Sequence, residues 1–413
     1  VTKRRIRLLA FAGIVLTALN MRAAVTGLPP LIGRMAPDLG LSPGFVGALG
    51  MLPTAMFAAS AFATPPLLRR LRLPHALFAM MAATAAGQLL RVAGPSTAAL
   101  VAGSLVALFA IGVTNTVAPL AVRAYFPEAV PRMSTAYMLA MQTGMMAAPL
   151  AAEPIAAAAG SWRVSLASWA LLALAAALPW IPLLRAGADS IAAAGRDGRA
   201  PAAARAAAGA ADQVPEHRSP VGLGLLAMFG CTSLSTYALM MFIPRVIESA
   251  GMSAATGGAM LSWWSALGAL IAVLGPWALG RLRDPYPLLA GFLLVYCIGN
   301  AGLFLAPAAA PWLWVTLSGL GPISFPMALT LINLRARTAA GARALSAFAQ
   351  GGGYTLACAG PLLTGMLHEA TAGWAAPLVL LLAATAVVAV GGRAATRERF
   401  VEDTLPAAGP RRG

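Results

Sequence analysis

Among all the residues of this chain, Arg22 is the one whose setting most demands a chemical role. It sits in "LNMRAAVTGLPP", Leu19 to Pro30, and from Leu8 to Gly33 it is the only charged residue. A guanidinium brings a permanent charge and five donors in a fixed fork, which suits a planar, carboxylate-like or linear anion. Thr26 lies at i+4 from Arg22 and shares its helical face, and Asn20 precedes it on the same helix. Uncharged hydrogen-bonding groups recur inside other apolar runs: Asn115, Tyr137, Gln142, Ser233, Tyr237, and Gln350 with Tyr354 at i+4. Together these form the candidate substrate-binding set. Taken singly, each uncharged group is explained as well or better as interhelical glue, worth about 0.6 kcal/mol. Their joint presence in both halves of the chain is what points to a cavity.

An arginine in apolar sequence needs a counter-charge, and few are on offer. Of 13 acidic residues, only Glu153 falls within an apolar run, near its end. Arg22, Arg34 and Arg163 are its possible partners. An Arg22 without a carboxylate would take an anionic substrate as its partner. Enzyme chemistry lacks its parts. Lys3 is the only lysine, so no Walker A loop exists. His75, His217 and His368 are scattered, without HExxH, metal-ligand spacing or a Ser–His–acid pattern, so neither a metal nor another cofactor is expected. Cys231, Cys297 and Cys358 all lie in apolar runs and read as buried thiols.

The elements that must position these residues are membrane helices. The 413 residues are 59% hydrophobic and only 10% charged, where a soluble protein carries roughly a quarter charged. Breaks at Gly/Pro clusters and basic loops give twelve spans, at about 8–34, 43–67, 75–93, 97–122, 133–158, 163–185, 220–243, 254–279, 286–306, 311–333, 343–367 and 374–392. Each is long enough to cross a bilayer as a helix, where every backbone polar group must be satisfied within the segment. Arg22 falls about 21 Å along the first span at 1.5 Å per residue, near the bilayer middle. The opening "VTKRRIR" reads as the basic flank of a retained first helix, since no small-residue cleavage site follows it.

The net charge of +16 raises nucleic-acid binding, and the placement of the charges removes the need for it. On the side of the termini, the even-numbered loops and the central stretch lie 24 of the 29 basic residues. Arg34, Arg91, Arg163 and Arg245 lie on the other side, and Arg22 lies within a span. The positive-inside rule then puts both termini and the central stretch in the cytoplasm. Residues 186–219, Ala-rich and without an apolar run, read as a cytoplasmic linker, partly helical through their alanines. They separate an N-terminal six-helix bundle, residues 1–185, from a C-terminal bundle and tail, residues 220–413.

The two bundles repeat at an offset of 211: "PPLLRRLR" (Pro65 to Arg72) matches "PWALGRLR" (Pro276 to Arg283), and "RMSTAY" (Arg132 to Tyr137) matches "RALSAF" (Arg343 to Phe348). The expected architecture is therefore all-α and polytopic, with twelve transmembrane helices in two pseudo-symmetric six-helix bundles, the major facilitator fold. More specifically, "LNMRAAVTGLPPL", "NTVAPLAVRAYFPE", "STYALMMFIPRVIESAGMS" and "LSAFAQGGGYTLACAGPLLTGMLHE" resemble the cyanate / 2-nitroimidazole transporter family of the major facilitator superfamily, over essentially the whole chain. Met21 and Ala23 stand where that pattern has Leu and Pro, and Phe242 stands where it has Trp. The resemblance implies a secondary transporter of a small anionic or dipolar solute, working by alternating access through a central cavity as a monomer. Its partners would be the solute and the lipid bilayer, with no nucleic acid. Efflux of drugs or other amphiphiles is the alternative reading of the same fold.

Overall fold

The computed structural model describes residues 3–185 and 219–404. The linker reading falls almost entirely outside the described residues. The first span is α1 (Lys3–Thr26) and α2 (Ile32–Leu39), broken at Gly27 to Leu31 where Pro29 and Pro30 interrupt the amide ladder. Then follow α3 (Pro43–Arg70), α4 (Leu73–Leu90), α5 (Thr97–Tyr125), α6 (Val130–Ala159), α7 (Trp162–Ala177) and α8 (Ile181–Arg185). After the linker come α9 (Pro220–Ser249), α10 (Ala254–Arg281), α11 (Tyr286–Leu305), α12 (Pro311–Leu320), α13 (Ser324–Leu334), α14 (Ala339–Thr371) and α15 (Ala375–Thr396). Helix α8 continues α7, and α13 continues α12 past a kink at Gly321–Ile323.

Local chemistry sets these ends. Ser42 and Thr338 accept from the third amide of α3 and α14 respectively, at 3.3 and 2.9 Å. Gly40 and Gly160, at φ of 65° and 64°, close α2 and α6 in the left-handed conformation. The offset of 211 holds for helix bounds. Shifting α3 by that number gives residues 254–281, the range of α10, and shifting α6 gives 341–370, within one or two residues of α14.

Two compact units contain the described chain. Of the described residues, the first takes 3–185 together with Met240–Ala266, and the second takes 219–239 and 267–404. In the first, α1 packs on α5, α6 and α7, and α4 on α5 and α7. Ile14, Met21, Leu77, Ile111 and Trp180 fill its core at zero exposure. Ser262, from the 240–266 segment, donates to the Met146 carbonyl at 2.7 Å within this unit. In the second, α11 packs on α12 and α15, around Phe229, Leu289, Met327 and Leu331.

Small residues let the helices close. A Cβ on Gly144 of α6 would strike the carbonyl of Leu19 on α1, and one on Gly360 of α14 would strike the carbonyl of Leu234 on α9. The same kind of crossing therefore recurs in each unit, in the first between α1 and α6 and in the second between α9 and α14. Outside, large apolar side chains stand free: Phe62 at 84%, Val390 at 75% and Val273 at 72% exposure. Water would not tolerate such a surface on this scale, and a bilayer does. Among the described residues, ten helical segments are long and apolar enough to cross one; α6 and α14, of 30 and 33 residues, are not among them.

Candidate functional site

Arg22 projects from α1 half-buried, with its guanidinium carbon 6.0 Å from the centre of the Phe57 ring on α3. The ring face offers only a weak cation–π attraction, about 0.5–1 kcal/mol at an accessible position. Tyr137 of α6 lies within electrostatic reach of the same charge. Among the described residues, no carboxylate and no hydrogen-bond acceptor meets the Arg22 guanidinium.

The one acidic residue that could have neutralised it is occupied elsewhere. Glu153 is buried, and the Nε of Arg34 reaches both its oxygens at 2.9 and 3.1 Å while Nη2 lies at 2.5 Å from Oε1. Arg163, the other surface partner considered for Glu153, instead pairs with Asp38 at 2.7 Å and stacks over Trp162. Glu153 is thus committed to Arg34.

The remaining candidates divide by unit and by partner. Asn20 is fully buried on the opposite side of α1 from Arg22 and donates to the Met81 sulfur at 3.6 Å. Thr26, also fully buried, donates to the carbonyls of Arg22 and Met145 at 3.1 and 3.2 Å, tying α1 to α6. Both side chains serve helix packing in this structure. Tyr137 turns its hydroxyl to the Met21 sulfur at 3.8 Å. Asn115 and Gln142 are half-buried and make no hydrogen bond to the described protein, so their amides are available. In the first unit the structure therefore joins Arg22 and Tyr137, and leaves Asn115 and Gln142 with free donors and acceptors.

The second unit holds the other four. Ser233 is buried with its hydroxyl unpartnered, and Tyr237 sits one turn further along α9, half-buried. Gln350 donates to Ser346 at 2.6 Å, which fixes the amide on the face of α14. Tyr354, one turn on, meets the Phe229 ring edge to face at 5.1 Å and so links α14 to α9.

A second arginine corrects the charge map. Arg91 was expected among the loop residues on the arginine-poor side, but it is 2% exposed. Its guanidinium donates to Gln88 Oε1 at 2.8 Å, Ser104 Oγ at 3.0 Å and the Ala24 carbonyl at 3.0 Å. The last of these lies in the final turn of α1, where carbonyls lack intrahelical partners and the helix dipole is negative. Arg91 is therefore a structural cation, with acceptors on Nε and on both Nη1 hydrogens. Arg22 has none.

A bundle of membrane-length helices, with a guanidinium inside one of them that meets no acceptor among the described residues, fits a membrane transporter. The chain belongs to the Major Facilitator Superfamily, whose family model matches residues 10–357. It is a multi-pass membrane transporter of small molecules. It is 31% identical to the uncharacterized transporter YycB of Bacillus subtilis, with 94% of each chain covered. To the 2-nitroimidazole transporter of Escherichia coli it is 29% identical, covering 96% of this chain and 97% of that one. To the cyanate transport protein CynX of E. coli it is 26% identical, over 86% of this chain and 89% of the other. Among solved structures, a bacterial homolog of the human lysosomal transporter Spinster superposes with a TM-score of 0.72 at 13% identity, covering 98% of both chains. That likeness shows the major facilitator fold.

Proposed function

We propose that this transporter moves a small anionic or strongly dipolar solute by alternating access, and that Arg22 takes the solute's negative end. The observation that carries the reading is the Arg22 guanidinium, which meets no acceptor among the described residues while Glu153 is held by Arg34. A charge held inside a membrane helix is costly, and one without an internal partner is best explained by a partner that comes and goes. Relatives that transport cyanate and 2-nitroimidazole support a small, polar, flat or linear solute. Tyr137 supplies a neutral hydrogen bond beside Arg22, Asn115 and Gln142 are the first unit's further candidates, and Ser233, Tyr237, Gln350 and Tyr354 are the second unit's.

The protein works as a monomer in the bacterial inner membrane, with both termini and the 186–219 linker in the cytoplasm. Its functional halves are residues 1–185 and 220–413. The test is uptake into proteoliposomes across a panel of cyanate, formate, nitrate, small carboxylates, 2-nitroimidazole and lipophilic cations. Accumulation of one or more of the anions or of the dipolar heterocycle supports the reading. Transport of the lipophilic cations alone replaces it with amphiphile efflux.

A further inference from the structure

The start of α1 carries a feature unrelated to Arg22. Arg4, Arg7, Leu8 and Phe11 follow each other at i, i+3, i+4 and i+7 and so form one stripe along the helix. Together with Phe126, at the end of α5, they line a surface groove of about 480 Å³. All four stripe residues are exposed, Leu8 at 60% and Phe11 at 43%. Arg4 has no ion pair among the described residues, and Arg7 spends one nitrogen on Glu128 at 2.9 Å.

The order of polarity along the stripe matters most. It runs from two guanidinium groups to two apolar side chains within about 10 Å of helix. A phospholipid shows the same order along the bilayer normal, headgroup first and acyl chain below. This end of the bundle also carries Arg69, Arg70, Arg72, Arg123 and Arg132, so the whole face is cationic. We propose that the groove is a binding site for one anionic phospholipid, with its phosphate on Arg4 and Arg7 and an acyl chain along Leu8, Phe11 and Phe126. The lipid phosphate competes with Glu128 for Arg7.

The test is binding of phosphatidylglycerol to the purified full chain in neutral detergent, read by native mass spectrometry and by the rise in Tm. Each surface arginine strengthens attraction to anionic lipid roughly five-fold, so Arg4→Gln/Arg7→Gln should bind about 30-fold more weakly. Arg4→Lys/Arg7→Lys, which keeps the charge, should retain most of the binding, and Glu128→Gln should tighten it. Phosphatidylcholine and inorganic phosphate should give no shift. The proposal is overturned if the Gln pair binds like the unaltered chain, if Arg69→Gln/Arg70→Gln weakens binding equally, or if inorganic phosphate alone reproduces the shift.

Discussion

Arg91 and Arg22 show how the same side chain can do opposite work within one bundle. Arg91 is buried against three acceptors. Removing it by Arg91→Leu leaves Gln88, Ser104 and the end of α1 without donors, at about 1–3 kcal/mol for each buried group left unsatisfied. The expected outcome is a marked fall in Tm or in yield of folded protein in detergent. By contrast Arg22→Gln removes no protein–protein hydrogen bond of the guanidinium, so its Tm should stay near that of the unaltered chain; a large loss would mean that Arg22 is structural. Glu153→Gln should lower Tm by a modest amount, since Arg34 is 41% exposed and water screens the pair. It should leave uptake of the anion unchanged, because Glu153 does not compete for Arg22. Arg22 was legible in the sequence as a lone charge in an apolar run. Arg91 was not, because it stands at the end of its apolar run, and nothing local reveals that Ser104 and Ala24 will surround it.

At the scale of the helix, the decisive contacts are glycines at crossings. Gly144→Val would drive a side chain into the Leu19 carbonyl at the α1–α6 crossing, and Gly360→Val into that of Leu234 at the α9–α14 crossing. Each should cost about 1–3 kcal/mol by overpacking, read as comparable drops in Tm. If Gly144→Val is tolerated while Gly360→Val is not, the two crossings are not equivalent. Helix positions were legible because each span is an apolar run closed by Pro, Gly or Arg. The break in the first span at Gly27 to Leu31 was less visible, although Pro29 and Pro30 are its physical cause. What the sequence could not show was which face each polar group takes. Asn20, two residues from Arg22, points into a helix contact instead of joining it.

For the whole molecule, the charge asymmetry predicts orientation. Single cysteines placed at Leu71 and Leu282 should be reached by a membrane-impermeant thiol reagent only from the cytoplasmic face, and one at Gly94 only from outside; the reverse pattern would invert the assignment. Cys231, Cys297 and Cys358 are only partly buried, so the background is best removed first. The duplicated architecture explains why composition and spacing alone carried so much of the fold, whereas the identity of the solute depends on a few side chains whose geometry composition does not encode. The claim that Arg22 holds the solute's charge is tested most directly by initial uptake rates of the transported anion into proteoliposomes for the unaltered chain, Arg22→Lys and Arg22→Gln, at equal amounts of folded protein. Losing charge-assisted hydrogen bonds of about 1.5–3 kcal/mol predicts an uptake rate at low anion concentration roughly 10- to 100-fold lower for Arg22→Gln. Arg22→Lys should fall between the two, because it keeps the charge and loses the fork. Uptake by Arg22→Gln at the unaltered rate would contradict the account.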